Sequence, residues 1–243
     1  MIRNRNAIRL LCLFCILVHP AINANLEART IIGQRNDSVS HPLICHQLGF
    51  DIRPGYIVST HSFLQGDNMQ QKKIDQSLSF HFKYAFRFSK ESNLGRLFPH
   101  TYQGIGISYH TFFSPAELGN PVSVYAFQGS RIAQLSPRLS LDYEWNFGAS
   151  FGWKKYDELS NPQNVLIGSK INAYINLGFL LNWQVHKYWK LAAGVDLTHF
   201  SNGNTHYPNG GLNVIGGRIG IVRTLGVDAD SSSNNIKTAI GIM

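Results

Sequence analysis

Between residues 49 and 225, apolar and polar side chains alternate with a period of two in segment after segment. Successive side chains of a strand point to opposite faces, so this pattern admits little besides an all-β fold. The segment 75–88 shows it most clearly: Leu78, Phe80, Phe82, Tyr84, Phe86 and Phe88 share one face, Ser79, His81, Lys83 and Arg87 the other. Segment 49–60 sets Ile52, Pro54, Tyr56 and Val58 against Asp51, Arg53, Gly55 and Ser59, and 101–112 sets Ile105, Ile107 and Tyr109 against Gly104, Gly106 and Ser108. Segments 138–152 and 169–185 continue the parity, with Tyr143, Trp145 and Phe179 on the apolar side and Glu144 and Asn176 on the polar side. Segment 121–132 is the weakest, and 189–201 and 211–225 complete eight candidate strands.

A soluble sandwich or lipocalin-like barrel would also alternate, with its apolar face inward. Two features favour a membrane barrel. The apolar faces are long and aromatic-rich, with Tyr, Trp and Phe recurring at strand ends like interfacial girdles. The opposite faces carry Lys, Arg, Asp, Glu and Asn deep within strands long enough for a tilted span, as a polar barrel interior would. In lipid, backbone groups are satisfied only if the sheet closes, so the expected fold is an eight-stranded antiparallel transmembrane β-barrel of the outer membrane. Its long outer loops would be 61–73, 113–120, 153–168 and 202–210, and the connection 89–100 is longer than an inner turn should be.

The flanks read differently. Arg3, Arg5 and Arg9 precede the apolar run LLCLFCILV and small residues around Ala21 and Ala24, the order of a secretory signal. The expected organisation is therefore a signal peptide over 1–24, a periplasmic lead-in over 25–48, the barrel over 49–225 and a polar tail over 226–243. Removing the signal leaves Cys45 as the sole cysteine, which excludes an internal disulfide. The formal charge of +8 falls to +5 without the three signal arginines. No basic cluster with interleaved aromatics speaks for nucleic acid, whereas an anionic lipid surface fits such a balance.

The stretch 195–214, VDLTHFSNGNTHYPNGGLNV, reads as a strand, a polar loop and a return strand. Leu197, His199 and Ser201 share the lipid-facing side. If Ser201 pairs with Gly211, the same register sets His199 opposite Asn213, at the roughly 4.5–5.5 Å Cβ separation of opposed side chains. Nucleophile, base and orienting group are then neighbours, as acyl transfer requires. Polar groups on a lipid-facing surface are costly and point to function. A lone His-x-Ser also occurs by chance, and at a strand end both residues are ordinary. Other constellations are weaker. Gly104-Ile-Gly106 lacks the helix of a phosphate loop. Asp142 and Glu144 with Arg138 read as a neutralising cluster inside the barrel. The ten histidines lack ligand spacing, so neither metal nor cofactor is expected.

The segment His199-Phe-Ser-Asn202-Gly, followed by Pro208-Asn209-Gly-Gly-Leu-Asn213, resembles the outer-membrane lipid A 3-O-deacylases of the PagL family. The resemblance implies hydrolysis of the ester-linked 3-hydroxyacyl chain at position 3 of lipid A, at a site facing the outer leaflet of a Gram-negative outer membrane. It makes Ser201 the nucleophile and His199 the general base. Asn209 and a backbone N–H just after Asn202 would form the oxyanion hole, in a loop with Gly203 and Asn204. The partners implied are lipopolysaccharide and outer-membrane lipids, and the oligomeric state, a homodimer included, stays open. One position departs from the family pattern: Asn213 stands, by spacing, where the orienting glutamate is expected. The rival expectations are a weak or inactive barrel that binds lipopolysaccharide, and a structural or adhesion barrel.

Overall fold

The computed structural model describes residues 44–225, and the expected signal peptide and polar tail lie outside them. Eight strands follow one another: β1 (Ile44–Ile57), β2 (Gln76–Phe88), β3 (Tyr102–Thr111), β4 (Gly119–Ser136), β5 (Leu139–Trp153), β6 (Ile171–His186), β7 (Trp189–Ser201) and β8 (Leu212–Leu225). Each pairs antiparallel with its neighbour in sequence, and β8 returns to β1, closing the barrel. β1 starts at Ile44 rather than at the expected Gly49, because Ile44 through Leu48 already pair with Phe88 through Tyr84. The barrel ends at Leu225, as expected. Segment 121–132, the least patterned in the sequence, lies within the longest strand, of 18 residues.

The parity holds around the barrel. Phe80, Phe82, Tyr84 and Phe179 are exposed on the outer surface, Tyr143 and Trp145 are half-buried on the same face, and Lys83, Glu144 and Asn176 are buried inside. Ile219, at 68% exposed, and Ile105, at 64%, would be unfavourable in water and are at home in lipid. This settles the choice between membrane and soluble barrel, since a soluble one would turn this face inward.

The interior is filled from bottom to top. At mid-height Arg53 reaches Asp51 at 3.0 Å and Asp196 at 3.2 Å, while Lys83 bridges Asp51 at 3.0 Å and Glu144 at 3.2 Å. Arg218 completes the group, 2.8 Å from Asp51 and 2.9 Å from Glu144. Three cations thus face three carboxylates, and the burial of each is compensated. Arg138, expected as the partner of Glu144, is exposed at the two-residue turn between β4 and β5. Lys83 and Arg218 take its place because they project inward at the height of Glu144. Toward the short-turn end a cavity of about 50 Å³ remains between Gln47, Arg87, Tyr102 and Asn182, so the barrel is a packed core rather than a pore.

Above the ion cluster lies an aromatic layer. His81 Nδ1 meets the Tyr125 hydroxyl at 3.0 Å, and Tyr125, Tyr174, His110 and Phe200 pack ring to ring. Gly106 makes room for it, because a Cβ there would collide with the Tyr125 ring. Phe63, Leu64, Leu118, Leu166 and Ile167, all from the long loops, continue the same apolar cluster upward. The long loops are therefore an integral part of the core. At the opposite end, the connection between β2 and β3 owes its length to a short helix, α1 (Asn93–Leu97), capped by Ser92.

Candidate active site at the β7–β8 rim

The hairpin of β7 and β8 is held at its tip from inside the barrel. Phe200, between His199 and Ser201, points inward, is 1% exposed, and meets Trp153 at 5.0 Å and His110 at 5.2 Å between ring centroids. With Phe200 fixed inside, strand geometry sends its two neighbours to the lipid-facing side. Both are half-buried there: His199 lies between Ile175 of β6 and Asn213 of β8, and Ser201 lies beside Ala173.

The expected opposition of His199 and Asn213 is present in the register. Their side chains meet as well, with Asn213 Oδ1 accepting from His199 Nδ1–H at 2.7 Å. That bond leaves the lone pair on Nε2, the nitrogen toward which a serine proton would move. The Ser201–Gly211 pair is not part of the ladder, which ends at Phe200–Leu212. Gly211 leaves the strand with a φ of 71°, and a Cβ on it would come within 3.1 Å of His199 Cε1. A glycine therefore lets the loop close over the imidazole. Among the described residues Ser201 Oγ has no hydrogen-bond partner, His199 included.

The loop 202–211 is ordered by its own side chains. Asn209 Oδ1 accepts from the Asn202 N–H at 3.0 Å, which leaves its Nδ2 without a partner among the described residues. Asn202 Nδ2 donates to the His206 carbonyl at 2.8 Å, and the Thr205 hydroxyl donates to the Asn202 carbonyl at 2.9 Å. Gly203 and Asn204 take left-handed φ values of 63° and 62°, turning the chain just after the serine. All seven expected site residues thus fall within one hairpin, whereas Asp196, earlier on β7, points inward to Arg53.

Sequence reasoning missed the support from the preceding long loop. The Gly210 N–H donates to the Val165 carbonyl at 3.0 Å, and the Gly211 N–H to the Leu166 carbonyl at 3.2 Å. Buried Asn161 and Asn164 organise this loop, and two asparagines in a polar, unpatterned stretch were the only signal for it.

A closed barrel with an apolar exterior, a charged interior and a polar trio at one rim defines an integral β-barrel of the outer membrane. The sequence model of the lipid A 3-O-deacylase (PagL) family matches residues 58–222, and the chain belongs to that family. No curated protein sequence matches the chain. Among solved structures it is similar to Neisserial surface protein A, at 9% identity and a TM-score of 0.48, covering 74% of this chain and 97% of that one. It is also similar to the outer membrane enzyme PagL, at 11% identity and a TM-score of 0.44, over 71% and 97% of the two chains. The N-terminal β-barrel domain of Pseudomonas aeruginosa OprF follows at 11% identity and a TM-score of 0.38, over 72% and 96%.

Proposed function

We propose that the protein hydrolyses the ester-linked 3-hydroxyacyl chain at position 3 of lipid A, from a site facing the outer leaflet. The observation that carries this reading is the 2.7 Å contact between His199 Nδ1 and Asn213 Oδ1, with Ser201 two residues along the same face. A lipid-facing rim is where an ester at the boundary between sugar and acyl chain would lie, and the family match supplies the substrate class.

The mechanism uses four groups. Ser201 Oγ attacks the ester carbonyl carbon while its proton passes to His199 Nε2. The hydrogen bond from Ser201 to His199 forms as substrate settles, since catalytic contacts in ligand-free sites are commonly long. The oxyanion takes hydrogen bonds from Asn209 Nδ2 and from a backbone N–H of the turn after Asn202, each such donor being worth roughly 10²–10³ in rate. Collapse expels the sugar 3-oxygen, which takes the proton from His199. Water, deprotonated by His199, then attacks the acyl-serine; the acyl–oxygen bond breaks, His199 returns the proton to Ser201 Oγ, and the 3-hydroxy fatty acid leaves. Mass spectrometry of lipid A from cells carrying the protein should show loss of one 3-hydroxyacyl chain. Ser201→Ala and His199→Ala should each abolish that loss while the barrel still assembles. Unchanged deacylation in both would sink the hydrolase reading.

Asn213 favours a second reading, that of a weak hydrolase retained for binding lipopolysaccharide. An amide orients the histidine yet lacks the charge that stabilises imidazolium. In a serine protease the acid-to-amide change lowers kcat about 10⁴-fold, chiefly through the wrong histidine tautomer.

A further inference from the structure

Asn164 lies in the loop between β5 and β6, is 0% exposed, and uses its whole side-chain amide. Its Nδ2 donates to the Glu117 carbonyl at 3.0 Å, in the loop between β3 and β4, and to the Lys154 carbonyl at 3.0 Å. Its Oδ1 accepts from the Leu166 N–H at 3.1 Å and the Ile167 N–H at 3.0 Å. The three residues after it are thereby fixed, and two of them carry the carbonyls that hold the β7–β8 loop. Val165 takes the Gly210 N–H and Leu166 takes the Gly211 N–H. Gly210 follows Asn209, whose amide bonds the Asn202 N–H, and Gly211 abuts the His199 ring.

We propose that Asn164 is a positioning residue for ester hydrolysis: through Val165 and Leu166 it sets the height of Asn209 and Gly211 against His199 and Ser201. The proposal rests on the Ser201–His199 reading. Its physical basis is that, among the hydrogen bonds described, this backbone pair is what joins the β7–β8 loop to the β5–β6 loop, while the side-chain bonds of Asn202 and Asn209 stay within the β7–β8 loop. A shift of about 1 Å at a reacting centre can cost 10²-fold in rate. Asn68 provides the contrast. It is equally buried and clasps its own loop through the Phe63 and Lys72 carbonyls, at 2.8 and 2.7 Å, with no bond to the β7–β8 loop.

The test measures kcat and KM on detergent-dispersed lipid A for the wild type, Ser201→Ala, Asn164→Asp, Asn68→Asp and Gly210→Ala, with thermal unfolding of each barrel. Asn164→Asp keeps the acceptor and loses both donors. Gly210→Ala leaves Asn164 intact but brings a Cβ to 3.0 Å from the Val165 carbonyl and 2.9 Å from the Leu166 side chain, so it parts the two loops independently. The expected result is a kcat lowered roughly 10- to 100-fold in Asn164→Asp and Gly210→Ala, with KM within about twofold. Asn68→Asp should keep the wild-type kcat. If Asn164→Asp does not fold, Gly210→Ala decides alone. A wild-type kcat in the folded variants, or an equal loss in Asn68→Asp, overturns the proposal. Activity surviving in Ser201→Ala would instead overturn the underlying hydrolase reading.

Discussion

His199 has its Nδ1 committed to Asn213 and its Nε2 open, and the direction of that one hydrogen bond decides its competence as a base. With Oδ1 accepting, the proton sits on Nδ1 and Nε2 can receive the serine proton. With the amide reversed, NH₂ would donate to Nδ1 and Nε2 would carry the hydrogen. Asn213→Glu removes the ambiguity and adds a charge opposite the imidazolium, so its kcat should exceed that of the wild type. Asn213→Ala should lower any activity present. Turnover of lipid A by the three proteins at equal folded concentration checks this, and equal rates would mean that Asn213 does not orient His199. The residues of this trio were readable from sequence because strand parity and hairpin register need only counting. The role of Val165 and Leu166 was not, since they act through backbone carbonyls, which carry no side-chain signature.

The β7–β8 hairpin behaves as a unit anchored from within. Phe200 touches Trp153, His110, Phe112 and Tyr174 in the aromatic layer. Phe200→Ala should cost about 3–5 kcal/mol through the cavity it leaves. It should also depress deacylation at temperatures where the barrel is intact, because His199 and Ser201 lose the residue that fixes their orientation. Denaturant unfolding in lipid vesicles, followed alongside activity, separates the two effects. The strands themselves were legible wherever outward aromatics recur. β4 was faint because its outward face mixes Val122 and Val124 with Ala126 and Gln128, and the early start of β1 was hidden by the polar His46 and Gln47. The long-loop core was hidden for another reason: Phe63, Leu64, Leu166 and Ile167 come in pairs with no period, and they are buried only once the closed barrel brings the loops together over its aromatic layer.

For the barrel as a whole, the two faces of the wall carry opposite rules. Inside, Arg218 contacts two carboxylates, so Arg218→Met should leave three buried carboxylates to the two cations Arg53 and Lys83 and cost about 3–5 kcal/mol. Outside, the adjacent Ile219→Arg should cost about 2–4 kcal/mol in a bilayer, because a cation there faces hydrocarbon near the midplane. In micelles, which let a charge reach water, the second penalty should shrink while the first persists. Equal penalties for both variants in bilayer and micelle would contradict the assignment of the two faces.

The last of the described strands is the one that shuts the barrel: β8 runs back beside β1, and the Asn213 carbonyl takes the Val58 N–H just beyond that seam. Every other neighbour in the wall is close in sequence, whereas this seam joins the two ends of the sheet and carries its largest loop-closure cost. Asn213 therefore belongs both to the hairpin of the candidate site and to the seam that closes the barrel. A chain stalled in transit, with β8 not yet docked, has neither a finished wall nor a firmly seated partner for its histidine. On the proposed hydrolase reading, competence to cut an ester would be acquired with the docking of that strand, when the polypeptide has already entered the membrane.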